Sequence, residues 1–216
     1  MCERLQNAGY EAYVVGGCVR DALLGRPTSD WDVATSASPT IVQRVFPRTA
    51  PTGIKHGTVT VLVGGEAIEV TTFRAESGYT DGRHPDHVVF GVTLHEDLSR
   101  RDFTVNAMAY DPIAGTLFDP YLGQSDLAAK ILRAVGVPED RFREDSLRVL
   151  RAVRLCATLE FALDPATEAG IAKALDLLHH VSAERVRVEL VKLLAARHPS
   201  LGLRIAERTG VLAVIL

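Results

Sequence analysis

Two aspartates one residue apart, Asp30 and Asp32, follow a double glycine and an arginine in YVVGGCVRDALLGRPTSDWDVAT, the stretch from Tyr13 to Thr35. If Asp30–Ala34 is a strand, alternation puts both carboxylates on one face and Trp31 and Val33 on the other. Carboxylates that close repel each other unless a cation lies between them. An all-oxygen donor set favours Mg²⁺ or Mn²⁺ over zinc. Two solvated aspartates at a strand end are the alternative. In Ile68-Glu69-Val70-Thr71 the apolar residues share one face. Glu69 on the other face is either a third carboxylate of the same site or an exposed strand position.

Gly16 and Gly17 come after an expected strand and before an expected helix. A backbone without Cβ can approach a phosphate there, the helix N-terminus offers unpaired N–H groups, and Arg20 one turn on can add a charged fork. A tight turn with Arg20 bridging to a surface acid would read the same way. The pattern is neither Gly-x-Gly-x-x-Gly nor Gly-x-x-x-x-Gly-Lys, which argues against dinucleotide and P-loop sites.

The elements that must hold these groups follow from periodicity. Glu11–Val15 and Asp30–Ala34 read as strands, with a short helix at Val19–Leu24 between them closed by Gly25, and Thr40–Phe46 reads as helical. Thr58–Val63 and Ala67–Phe73 read as a hairpin turned by Gly64-Gly65. Glu76–His87, rich in Gly, Asp, Arg, Pro and His, reads as a mobile loop. Its His84 and His87 have no further metal ligands nearby in sequence. From about Pro138 the pattern is helical: Glu144–Leu159, Pro165–Leu178, Ala183–Ala196 and Ser200 to the end. An α/β head over 1–138 and a helical segment over 139–216 is the most economical architecture.

With 216 residues, 47% of them hydrophobic, the chain can bury one good core and a second, smaller one. Twenty-four basic against 27 acidic side chains give a formal charge of −3, so a nucleic-acid partner would need a local basic surface. Residues 182–208 supply one candidate in Arg185, Arg187, Lys192, Arg197, Arg204 and Arg208. Cys2, Cys18 and Cys156 are odd in number and widely spaced, which suits a reducing, cytoplasmic compartment. The N-terminal residues lack the apolar core of a signal peptide, and no run is long enough to cross a membrane.

Four motifs in order, GGCVRDALLGRPTSDWDVAT, IEVTTFR, RRDFTVNAMAYDP (Arg100–Pro112) and EDSLRVLRAVR (Glu144–Arg154), resemble those of the class II tRNA nucleotidyltransferase and bacterial poly(A) polymerase family. The resemblance spans about residues 9 to 160 and, more weakly, the helices beyond. It implies an α/β (α+β) nucleotidyltransferase head of the DNA polymerase beta type, with a mixed sheet and flanking helices, then an all-helical neck and partial body. It further implies addition of CMP and AMP, from CTP and ATP, to the 3′ end of tRNA without a template, using Mg²⁺ or Mn²⁺. Poly(A) addition, or CC-only or A-only addition, shares the motifs. A non-catalytic RNA-binding relic is the reading from another class.

Residue by residue, the resemblance makes Asp30 and Asp32 metal ligands, while Glu69 stays either a third catalytic carboxylate or an exposed strand position. Gly17, Arg20 and Arg101 match triphosphate or nucleotide contacts. Asp102 and Asn106 would brace Arg101 or the ribose, and Arg100 reads as a solvated charge. Asp145 and Arg148, at the opening of an expected helix, match residues that read the incoming base. Without the family match, an acid there is ordinary dipole compensation. Arg151 and Arg154 continue as nucleotide-binding positions, with a structural brace as the alternative for Arg154. No membrane or protein partner is implied.

Overall fold

The computed structural model describes residues 1–28, 30–79 and 86–216, so His84 and the centre of the expected loop lie outside the described residues. The chain divides into two units. The first comprises 1–76, 87–101 and 105–123; the second comprises 77–86, 102–104 and 124–216. The division after Gly123 lies upstream of the point near Pro138 suggested by the helical pattern. Three residues of the RRDF motif region, 102–104, leave the first unit for the second.

In chain order the first unit contains α1 (Cys2–Asn7), β1 (Ala12–Val15), α2 (Gly17–Leu23), β2 (Asp32–Thr35), α3 (Pro39–Val45), β3 (Thr49–Gly53), β4 (Thr58–Val63), β5 (Glu66–Thr72), β6 (Arg74–Ser77), β7 (His87–Phe90), α4 (Leu94–Ser99), β8 (Ala109–Asp111) and β9 (Thr116–Phe118). Seven strands form one sheet in the order β3-β4-β5-β2-β1-β8-β9. β2 and β5 run parallel, whereas β1 pairs antiparallel with both β2 and β8, so the sheet is mixed as expected. The Gly64-Gly65 hairpin joins β4 to β5 in antiparallel register, with both glycines at positive φ where a side chain would strain the turn.

Alternation then builds two layers. Val33, Val59 and Val70 are buried on one face with Leu5 of α1 and Val42 of α3. Val15, Ala34 and Ala109 are buried on the other with Phe73 and with Leu98 of α4. α4 starts at a complete capping box, Thr93 accepting from the Glu96 N–H while the Glu96 carboxylate accepts from the Thr93 N–H. The stretch expected to be a mobile loop is in part regular: β6 and β7 pair as a separate two-stranded sheet. Asp30, expected inside the second strand, lies ahead of β2 and is exposed.

The second unit contains α5 (Gly123–Ala129), β10 (Ile131–Leu132), α6 (Pro138–Glu144), α7 (Leu147–Leu159), β11 (Ala162–Leu163), α8 (Pro165–Ala172), α9 (Ala183–Leu194), α10 (Pro199–Arg208) and α11 (Val211–Ile215). It is not wholly helical, because β10 and β11 pair in parallel. The helices are also shorter than periodicity suggests: a break at 145–146 separates α6 from α7, and Gly210, at positive φ, separates α10 from α11. Phe103 bridges to Ala134, placing the excursion at 102–104 against this unit's own strand segment. α10 packs so tightly on α7 that a Cβ on Gly202 would stand 2.7 Å from the Val153 carbonyl oxygen. Only glycine fits that crossing.

Candidate functional site

The first unit brings its predicted carboxylates together by strand register. Asp32 of β2 is the direct partner of Glu69 in the parallel β5, so the two acids sit side by side on one face. Burial first, then the Glu69 charge and that of Asp30, push the Asp32 carboxyl above the usual carboxylate range against the opposing pull of Arg101. Among the described residues no group of three His, Cys, Asp or Glu side chains is close enough to hold an ion alone, so Glu69 does not complete a three-carboxylate cluster with Asp30 and Asp32.

The glycine turn stands beside this pair. Gly16 has φ +82°, and a Cβ there would meet Nη1 of Arg101 at 3.1 Å and Oδ2 of Asp32 at 3.5 Å. Any side chain would be both strained and wedged into the site. Arg20 folds back over Gly17: a Cβ on Gly17 would lie 3.4 Å from Arg20 Nη2. Its guanidinium donates to Asp21 at 2.9 and 2.8 Å and to Oδ1 of Asn106 at 2.6 Å. Asn106 thus braces Arg20, not Arg101. Arg101 donates from Nη2 to Asp97 at 3.4 Å, while its buried Nε has no hydrogen-bond partner among the described residues. Arg100, expected to be solvated, is instead 16% exposed and paired with Asp97 and Glu76.

In the second unit the expected nucleotide-reading residues are held by acids. Asp145 does not lie in a helix. It follows α6 in extended conformation, accepts from the Leu147 N–H at 3.1 Å, and accepts from Arg185 Nη2 on both carboxylate oxygens at 3.0 and 2.9 Å. Arg148 donates from Nη1 to Glu144 at 2.6 Å and to the Arg141 carbonyl at 3.2 Å. Arg151 donates to Asp102 at 3.0 and 2.8 Å, so Asp102 braces Arg151 where bracing of Arg101 or the ribose was expected. The Asp102 charge, outweighing burial, raises the Arg151 pKa further. Arg154 donates to the buried Glu189 at 2.5 Å, the arrangement of a structural brace.

Sequence reading missed Asp97, although Arg100 and Arg101 follow it at helical spacing, and missed Glu189 and the pairing role of Arg185, whose partners lie on other elements. It also overstated the basic surface at 182–208, because Arg185 and Arg208 are committed to Asp145 and Glu168.

A mixed sheet with registered carboxylates beside a glycine turn, joined to a largely helical unit, defines a nucleotidyltransferase head of the DNA polymerase beta type. Residues 12–133 match the family model described as "Poly A polymerase head domain", and residues 160–216 match "Probable RNA and SrmB- binding site of polymerase A". The chain belongs to this poly(A) polymerase head-domain family. It is 53% identical over 191 residues to a CCA-adding enzyme of Lactobacillus johnsonii, covering 88% of this chain and 48% of that one. A CCA-adding enzyme of Geobacillus stearothermophilus is 48% identical over 213 residues, covering 99% and 52%. Among solved structures, the Bacillus stearothermophilus CCA-adding enzyme in complex with CTP superposes with a TM-score of 0.91 at 47% identity, covering 99% of this chain and 52% of that one. The Thermotoga maritima CCA-adding enzyme complexed with tRNA gives 0.82 at 28% identity, covering 99% and 50%. The chain thus spans about half the length of the relatives it matches.

Proposed function

We propose that this chain carries the nucleotide-handling half of a template-independent nucleotidyltransferase that adds CMP and AMP, from CTP and ATP, to the 3′ end of tRNA. The observation that carries the reading is the side-by-side register of Asp32 and Glu69 next to Gly16 and Arg101. Similarity to enzymes solved with CTP and with tRNA supports the choice of substrates.

Asp30 and Asp32 would hold Mg²⁺, or Mn²⁺, which when bound lowers the pKa of an attacking 3′-hydroxyl and neutralises charge on departing pyrophosphate. The backbone at Gly16 and Gly17, with Arg20 and Arg101, orients the triphosphate. Glu69 supplies a carboxylate able to accept the hydroxyl proton. In the second unit Asp145 accepts from the exocyclic amino group shared by cytosine and adenine, and Arg148 donates to the neighbouring ring nitrogen. Uracil and guanine present the opposite pattern and would leave these groups unpaired. Arg151 serves as a further nucleotide contact held by Asp102. Arg154 could join it only by leaving Glu189. We place the protein in the cytoplasm, where its three free cysteines stay reduced. The helical unit over 139–216 is proposed as the neck and start of the body.

A second reading draws on the family model that matches the head: the same site would serve poly(A), CC-only or A-only addition. Incubation with Mg²⁺, each labelled nucleoside triphosphate and tRNA ending at its discriminator base separates them by product length. CCA addition predicts two cytidines and one adenosine. An adenosine ladder selects poly(A) synthesis, and no extension with any nucleotide overturns the enzymatic reading.

A further inference from the structure

Five charged side chains of the first unit form one network next to the carboxylate pair. Asp97, in the first turn of α4, is fully buried and accepts from Arg100 Nε at 3.1 Å and Nη2 at 2.8 Å. It also accepts from Arg101 Nη2 at 3.4 Å and from the Arg74 backbone N–H at 3.3 Å. Glu76 accepts from Arg74 Nε at 2.6 Å and Arg100 Nη1 at 3.2 Å. Burial alone would raise the Asp97 pKa, but the Arg100 and Arg101 charges and these bonds hold it below the usual carboxylate range.

Within this set the described bonds are shared unequally. Asp97 is doubly bonded to Arg100, whereas Arg101 only just reaches it. Glu76 is shared between Arg74 and Arg100. Arg101 is the least satisfied of the three: its Nη2 only just reaches Asp97, its buried Nε–H has no partner among the described residues, and its charge also acts on Asp32 beside Gly16.

We propose that Arg100 is a positioning residue for the triphosphate site: without touching nucleotide, it neutralises Asp97 and so leaves Arg101 oriented and cationic toward the phosphates. The inference rests on the reading of Arg101 as a triphosphate contact. Removing Arg100 alone leaves the buried Asp97 charge with Arg101 as its nearest remaining side-chain cation on α4 and its C-terminal end. The pair would tighten, and the attraction of Arg101 for an anion would be largely cancelled. A residue that merely anchored α4 would behave differently, since removing its partner as well could only loosen the helix further.

The test is calorimetric titration of the chain with inorganic pyrophosphate and with CTP plus Mg²⁺, alongside thermal melts. Arg100→Gln should weaken both probes by about tenfold, the scale of one partly buried charge interaction. Asp97→Asn added to Arg100→Gln should restore affinity to within about threefold of the unaltered chain, since with Asp97 neutral the buried charge that would draw Arg101 away is gone. Arg100→Lys, which keeps the charge, should also stay within about threefold. Unchanged binding by folded Arg100→Gln, a double variant weaker than the single one, or a tenfold loss in Arg100→Lys would each overturn the proposal. Should Arg100→Gln fail to fold, Arg100→Lys and the double variant still decide it. Arg101→Ala serves as the control: if it binds both probes normally, the triphosphate reading of Arg101 falls, a failure distinct from that of Arg100.

Discussion

The two units treat charge in opposite ways. In the first, Asp32 and Glu69 are set side by side, and burial first, then the Glu69 charge, raises the Asp32 pKa against the pull of Arg101. In the second, every arginine of the α7 ridge already has an acid: Arg148 has Glu144, Arg151 has Asp102 and Arg154 has Glu189. The first arrangement keeps two acids adjacent with one of them partly buried. The second fixes the direction of donors and acceptors before any ligand arrives. On the proposed function, a site that attracts an ion and a site that discriminates between bases need these different preparations.

The contrast breaks most readily at Asp32. Asp32→Asn should reduce nucleotide addition by at least about a thousandfold, because metal clamping is expected to carry several kcal/mol of the barrier. The same change should hold or raise the melting temperature, since it removes a repulsion, and Mg²⁺ should no longer stabilise the protein. Single-turnover extension and melts with and without Mg²⁺ check both halves. Retention of more than about a tenth of the rate would refute the assignment.

Glu189→Gln should show the reverse sign. It leaves the mostly buried Arg154 charge without its counter-ion, and a loss of roughly 3 kcal/mol is expected in denaturant unfolding. An unchanged midpoint would mean that the ridge arginines do not depend on their acids.

Asp145→Ala tests whether fixed direction reads the base. Uridine incorporation relative to cytidine should rise by about tenfold, equivalent to roughly 1–2 kcal/mol of lost discrimination. Equal losses of CTP and UTP use would instead make Asp145 a support for Leu147 and Arg185 alone.

The smallest effect concerns pH. The folded-state pKa of Asp97 lies below its unfolded value, near about 3.9, so the unfolded chain takes up the proton first. The stability contributed by Asp97 is complete above that range and is lost as pH falls through the folded value. Asp97→Asn should flatten the acid limb of melting temperature against pH below about pH 4. Parallel acid limbs would place the acid sensitivity elsewhere.

What could be read from the sequence was short-range. The alternation around Val33 and Val70, the glycine turn and the Gly64-Gly65 hairpin all express periods of a few residues. They brought out the Asp32–Glu69 face and most of the mixed sheet. The break at 145–146 falls just inside the helix expected to open at Glu144, where periodicity has too few residues to show it, and the two-residue strands β10 and β11 are too short to show a period. Ion pairs between distant elements leave no period in the sequence. Arg185 lies 40 positions from Asp145, and Arg151 lies 49 from Asp102, so their bracing emerges only from tertiary structure.

The excursion of residues 102–104 into the second unit bears on how the protein could be dissected. Cleavage between Gly123 and Gln124 would leave on the upstream fragment the Phe103 that bridges Ala134, the Thr104 whose hydroxyl bonds Asp126 at 2.7 Å, and the acid that holds Arg151. A 124–216 fragment expressed alone would therefore lack three of its own structural parts. Adding a 1–123 fragment in trans should recover them by noncovalent complementation, making the two pieces interdependent despite a boundary that looks like a place to cut.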